Sequence, residues 1–304
     1  MRKKRKHHTR LPALLLCLAL LAGCGREAAP SPTPAEQPSA PADTSDSPRE
    51  GLSGPEILAS TQVIAHAMGA VDGQTYLNCL EGFQAAYSRG VRAFEADLCL
   101  AADGTVVLRH DWSVALQEGI GVASVPTREE FCSVPILGMY TPLSFRDLLL
   151  LMEEYPDICI VTDSKYDAPE VALTEFGAMV KDAEELGLTH LFDRIIIQVY
   201  NGAMLEALVR IYDFPHYILT LYMAGFDGEI QLLRSFAQYC AEHGVEGITF
   251  WAYLWNPVYQ VISQQYGVSF YVHTVNDPKQ AKSCLKQGVS AVYTDFLADQ
   301  DLAS

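Results

Sequence analysis

Apolar positions along this chain follow two alternating rhythms. Short apolar runs of the kind that fill a buried strand recur at intervals. Between them, apolar residues return every three or four positions, the spacing of an amphipathic helix. Eight runs read as strands: VIAH (63–66), AFEADLCL (93–100), ICIVTD (158–163), RIIIQVY (194–200), YILTLY (217–222), GITFWA (247–252), VSFYVHTV (268–275) and AVYTD (291–295). Helical stretches cover 78–90, 144–154, 169–186, 201–212, 229–243, 256–266 and 277–287. The first of these is expected to be capped by Asn78, with Glu81 at the third helical position, and to stop at Gly90. Strand and helix in repeated alternation build a parallel sheet. Eight such units in about 240 residues predict an α/β fold, a (β/α)8 TIM barrel. The run TVVLR (105–109) follows the second strand across the turn Ala102-Asp103-Gly104 and reads as a hairpin excursion, not a ninth barrel strand. Residues 112–142 carry several Pro and Gly and little periodicity, which predicts an inserted loop region after the second strand, beside the site.

Neither rhythm appears before the barrel. Residues 1–23 join a basic segment, MRKKRKHHTR, to a short apolar one, LPALLLCLALLAG, and read as a secretory signal too short to span a bilayer comfortably. Leu21-Ala22-Gly23-Cys24 resembles a bacterial lipobox, so Cys24 is expected to be lipidated and to become the new N-terminus. Residues 24–55 are rich in Pro, Ala, Ser, Glu and Asp and read as a disordered tether, leaving 56–304 for the barrel. The expected location is therefore the extracytoplasmic face of the cell membrane, held by lipid.

Charge narrows the choice of partner. Loss of the six Lys and Arg of residues 1–23, with no acid lost, takes the formal net charge from −16 to −22. Such a chain argues against nucleic acid as a partner and against electrostatic adhesion to anionic lipid. Besides Cys24, cysteines 79, 99, 132, 159, 240 and 284 remain, scattered and without zinc spacing, and most read as small core residues.

The chemistry gathers at strand ends. Glu95 and Asp97 lie i, i+2 in FEADL, and Asp163 and Lys165 lie i, i+2 in VTDSK, a spacing that puts both side chains of a pair on one face of a strand. His66 ends the first strand, and His110 follows the hairpin in LRHDW. All six positions fall at or just after the carboxyl end of a strand, where barrel enzymes place their sites. Three carboxylates collected at one point imply a divalent cation held by oxygens. Two histidines beside them imply an acid and a base acting on an anionic substrate. Asp111 is read as orienting a loop.

The order His, Glu-x-Asp, Asp-Gly and His-Asp resembles the glycerophosphodiester phosphodiesterase family, which shares its barrel with the phosphatidylinositol-specific phospholipases C. The segments that carry the resemblance are IAHAMG, NCLEGF, GVRAFEADLCLAADGTVVLRHDW, VTDSK, IIIQVYN, YVHTVND and AVYTD, in order over about 60–295. The resemblance implies Ca²⁺ or Mg²⁺ on Glu95, Asp97 and Asp163, with His66 and His110 as general acid and base. It also implies attack on phosphorus by a neighbouring substrate hydroxyl through a cyclic phosphate, with Lys165 stabilising charge. Gln198 matches a family glutamine near the substrate. The chain departs from the family pattern in four places. His66-Ala67-Met68-Gly69 stands for His-Arg-Gly, and Leu77-Asn78 for Glu-Asn. Asp163 stands for a glutamate, and His273 for a tryptophan of the seventh strand. His273 is a candidate to compensate for the missing arginine.

Trp112, Trp251, Tyr253 and Trp255 are candidates to line a head-group pocket, and Asn276 to hydrogen-bond near the metal. The resulting expectation is a metal-dependent phosphodiesterase that takes a small-molecule or lipid-derived phosphodiester. Two alternatives are a phospholipase D- or C-like activity on intact lipid and a non-catalytic binding protein on a degenerate barrel.

Overall fold

The computed structural model describes residues 49–121 and 123–303. The leader, Cys24 and the tether as far as residue 48 lie outside the described residues.

All eight predicted strands form, and in the predicted order. They are β1 (Val63–Ala65), β2 (Ala93–Leu100), β4 (Cys159–Ser164), β5 (Ile195–Val199), β6 (Tyr217–Thr220), β7 (Gly247–Trp251), β8 (Ser269–His273) and β9 (Ala291–Thr294). Each pairs in parallel with its neighbour, and β1 pairs with both β2 and β9, which closes a TIM barrel. The excursion is β3 (Val106–Leu108), antiparallel to β2 and outside the ring.

The two-residue period of a strand sorts the core. On β2, Phe94, Ala96 and Leu98 face outward into the large core shared with the helices. Ala93 faces inward, in a cluster with Ile64, Val161, Ile196, Ile218 and Tyr293 that fills the amino end of the barrel. Glu95 and Asp97 share the inward parity of Ala93 one and two steps higher. The barrel is thus apolar at its floor and acidic toward its carboxyl end.

A short helix absent from the sequence reading, α1 (Gly54–Ala59), seals that floor. Ser53 and Glu56 close a capping box at its start, and Ile57 and Leu58 pack into the inner cluster. The expected helix over 78–90 is α2 (Leu80–Ser88), and its cap is Cys79, whose Sγ accepts from the Gly82 amide. Asn78 does not cap it. At φ 50° its side chain turns into the barrel instead, where buried Asp97 competes for it. Glu81 is likewise diverted and accepts from the amide and hydroxyl of Thr141.

The inserted region contains α3 (Arg128–Ser133) and is followed by α4 (Phe145–Glu154). Buried Arg109 pins the insertion, donating to the Asp111 carbonyl at 2.7 Å and to Gln117 at 2.9 Å. The helices that follow are α5 (Pro169–Leu186), α6 (Gly202–Leu208), α7 (Ile230–His243), α8 (Tyr259–Tyr266) and α9 (Pro278–Lys286), with α10 (Asp299–Leu302) last. Among the described residues no helix is long and apolar enough to cross a membrane.

Candidate active site

The register of β2 and β4 sets Asp97 directly beside Asp163. Glu95, one inward step below Asp97, completes a buried triad in which one carboxylate oxygen from each residue lies within 4.8 Å of the others. Three buried carboxylates at this distance repel one another unless positive charge or protons intervene. Lys165 supplies part of that charge. Its Nζ stands 2.5 Å from Asp97 Oδ1 and also pairs with Asp163. Burial alone would raise Asp97, but Lys165, then His110 and His66, hold its pKa below the ordinary value. Burial would lower Lys165, but Asp97, Asp163 and Glu95 together hold it well above the ordinary lysine value.

The remaining oxygens, all but one, are tied down individually. Asn78 donates to Asp97 Oδ2 at 2.7 Å and accepts from the Asp97 amide at 3.0 Å. Gln198 and the Tyr200 hydroxyl donate to Asp163 Oδ1 at 2.6 and 2.8 Å. The Ala67 amide donates to Glu95 Oε2 at 2.7 Å. Glu95 Oε1 is buried and has no hydrogen-bond partner. Burial, and next the charge of Asp97, push Glu95 above the usual carboxylate range. An orphaned oxygen in an all-carboxylate cluster is what a hard divalent cation would satisfy, so the residues present fit the cation expected of them.

The histidines flank the triad, and each is anchored by an aspartate. His66 Nδ1 donates to Asp295 Oδ1 at 2.8 Å, and Asn276 donates to the other Asp295 oxygen at 2.6 Å. His110 Nδ1 donates to Asp111 Oδ2 at 2.7 Å, while Asp111 Oδ1 accepts from the Ser113 amide. A carboxylate can only accept, so Nδ1 carries the proton in both rings, and Nε2 is left for chemistry. Burial opposes charge on His66. The Asp295 hydrogen bond and the charges of Glu95 and Asp97 outweigh it, raising the pKa to about 9. Tyr76 stands edge-on between the two rings, with centroids 4.6 Å from His66 and 5.0 Å from His110.

A cleft of about 270 Å³ brings together His66, Glu95, His110, Asp163, Lys165 and His273. His273 is packed against Tyr222 and Trp251, with centroids 4.0 and 4.4 Å away. Burial, then the neighbouring His66, lower its pKa to about 2. It therefore cannot supply the positive charge of the arginine that Ala67 lacks. Its buried, unpartnered Nε2 offers a hydrogen bond instead. Gln198 and Trp112 do not line the cleft. Gln198 is buried behind Asp163 and spends its amide on it. Trp112 packs edge-on to Phe131, 5.9 Å away, under the Arg109 guanidinium, so it braces the insertion. Of the aromatic candidates, Trp251 does line the cleft.

Sequence reasoning missed Asp295, Tyr76 and Tyr222, and gave Asn78 the wrong partner. Asp295 had a signal: it ends the last barrel strand, where every other candidate also sits. Tyr222 had the same signal, at the end of the predicted strand 217–222, whereas Tyr76 had none, because only the fold brings its loop to the cleft.

The model of the glycerophosphoryl diester phosphodiesterase family matches residues 72–299. Several solved structures resemble the chain. A Silicibacter pomeroyi protein described as a glycerophosphoryl diester phosphodiesterase superposes with a TM-score of 0.65 at 19% identity, over 78% of this chain and 90% of that one. An Oleispira antarctica phosphodiesterase, in complex with the product sn-glycerol-3-phosphate, gives 0.63 at 16% identity, over 81% and 97%. A glycerophosphodiester phosphodiesterase from Parabacteroides distasonis gives 0.61 at 19%, over 83% and 96%. No curated protein matches the chain. At these identities the superpositions establish a shared fold.

Proposed function

Because the chain belongs to the glycerophosphoryl diester phosphodiesterase family, we propose that it hydrolyses glycerophosphodiesters to an alcohol and glycerol phosphate, with His66 and His110 as paired proton carriers. One observation carries the reading. Two histidines, each with Nδ1 fixed by an aspartate, flank a buried carboxylate triad in a single cleft. Phosphodiester cleavage needs one proton taken from the nucleophile and one given to the leaving oxygen. Two imidazoles with free Nε2 atoms meet both needs. Lys165 and the protonated His66 place positive charge where the phosphoryl group must lie, and His273 adds a neutral hydrogen bond. Glu95, Asp97 and Asp163 would hold a divalent cation, Ca²⁺ or Mg²⁺, which when bound neutralises charge on phosphoryl oxygens. Gln198, Tyr200 and Asn78 then act as positioning residues, holding the ligand carboxylates in place.

The test is turnover of a glycerophosphodiester panel by residues 25–304, with either cation and with chelator. Metal-dependent release of alcohol is expected, and His66→Ala and His110→Ala should each lower kcat by about 10²–10⁴-fold. Turnover that survives both substitutions overturns the assignment. Cation binding has its own readout. At a hundred times its Kd, a cation that binds only the folded state stabilises by about 2.7 kcal/mol. The accompanying rise in Tm should vanish in Asp97→Asn.

A further inference from the structure

A second cavity, of about 480 Å³, lies beside the cleft and shares Tyr200 and Met223 with it. That volume falls in the range of small-molecule sites, roughly 300–1,000 Å³. Leu219, Ala224, Phe236 and Tyr239 form the apolar half of the remaining wall, between β6 and α7. Gly202 lets this wall close, because a Cβ there would stand 2.6 Å from Tyr239 Oη. None of these wall residues takes part in the proton chemistry or holds the triad, apart from Tyr200. The lip of the cleft is apolar as well. Met223 is 61% exposed and Trp251 42%, and Tyr253, 77% exposed, stacks on Trp251 at 6.4 Å. Large apolar side chains clustered at a site mouth are a cost in water unless something apolar meets them.

Resting on the phosphodiesterase reading, we infer that this cavity is a subsite for one long apolar chain of the substrate, and that the preferred phosphodiester is a single-chain amphiphile. The reaction itself is unchanged: water gives its hydroxyl to phosphorus and its proton to the departing alcohol. Two polar arms would use the 270 Å³ cleft alone and leave a larger carbon-lined space unused. An ammonium head group is the competing occupant, since Asp167 and aromatic faces also line the cavity. The wall favours a chain, because each buried methylene strengthens binding by about fourfold.

The experiment compares calorimetric binding of octyl phosphate and ethyl phosphate to the wild-type protein with cation present, then to Ser235→Trp. Ser235 is exposed on α7 at the cavity and caps no helix, so the bulky ring obstructs the cavity without entering the core. Ala224→Leu fills the same space from the β6–α7 loop. Octyl phosphate should bind at least about 30-fold more tightly than ethyl phosphate, well within what six added methylenes allow. Either substitution should remove most of that advantage and leave ethyl phosphate unchanged. Equal binding of the two probes, or equal weakening of both, overturns the subsite. So does a cavity whose occupant is phosphocholine, sensitive to Asp167→Asn, with no chain preference. Turnover separates this inference from the reading beneath it. Chain-selective binding without hydrolysis of any diester keeps the subsite and removes the phosphodiesterase reading. Hydrolysis of unacylated diesters without chain-selective binding does the reverse.

Discussion

Asp295 and Asp111 fix the two histidines from behind, and they do so in different surroundings. Asp295 is itself held by Asn276, and its hydrogen bond is the largest influence raising His66 toward a pKa of about 9. Asp111 belongs to a turn that it also caps through Ser113. The sign of a substitution follows. Asp295→Asn keeps a hydrogen-bonding group but loses the negative charge and the largest raising influence, so the His66 pKa falls from about 9 back toward its ordinary 6.5, with Glu95 and Asp97 still opposing burial. In a bell-shaped rate profile, the limb that belongs to His66 should move to lower pH by one unit or more. Movement of the alkaline limb assigns His66 as the acid, and movement of the acid limb assigns it as the base. A profile with both limbs in place would mean that His66 does not titrate in the reaction. Most of this was legible only in part. His66, Glu95, Asp97, His110, Asp163 and Lys165 stand out in the chain because charged residues rarely end apolar strands in matched pairs. Asn78 resembles a helix cap, and nothing local says that a buried carboxylate nineteen positions away will claim its side chain.

At the scale of elements, the strands were the most legible feature and the short helix α1 the least. A strand inside a barrel is apolar on both faces, so its run of Val, Ile and Leu is visible without context. The helix α1 has six residues and no room for an amphipathic period, and its role comes wholly from where it packs. Ile57, fully buried there, touches the inner ends of strands distant in sequence. Ile57→Ala should cost about 2–4 kcal/mol in denaturant unfolding, as expected for a large-to-small change in a closed core. A loss under about 1 kcal/mol would mean that the floor is held without α1. The insertion shows the same limit. Its Pro and Gly content announced a loop, but the Arg109 anchor and the packing of Trp112 on Phe131 are tertiary facts.

At the scale of the whole molecule, the leader and tether raise a question separate from catalysis. We propose that Cys24, behind Leu21-Ala22-Gly23, carries a lipid that holds the enzyme at the outer face of the membrane. Cys24→Ser should then move the protein from the membrane fraction to the soluble one. An unchanged distribution would remove the anchor. Within the barrel, the sequence by itself determined the order of strands and helices, the closed α/β architecture and six of the cleft's ionisable residues. Those features are written in local periodicity and in spacing of i, i+2, which a chain cannot hide. Only the tertiary structure decided which carboxylate oxygen is left without a partner and which aspartate holds each histidine. It also decided that His273 is neutral and that an apolar cavity adjoins the cleft. These depend on distances between residues far apart in the chain and on how much water burial removes around each group. Closing the ring from β9 to β1 is what brings His66 to Asp295.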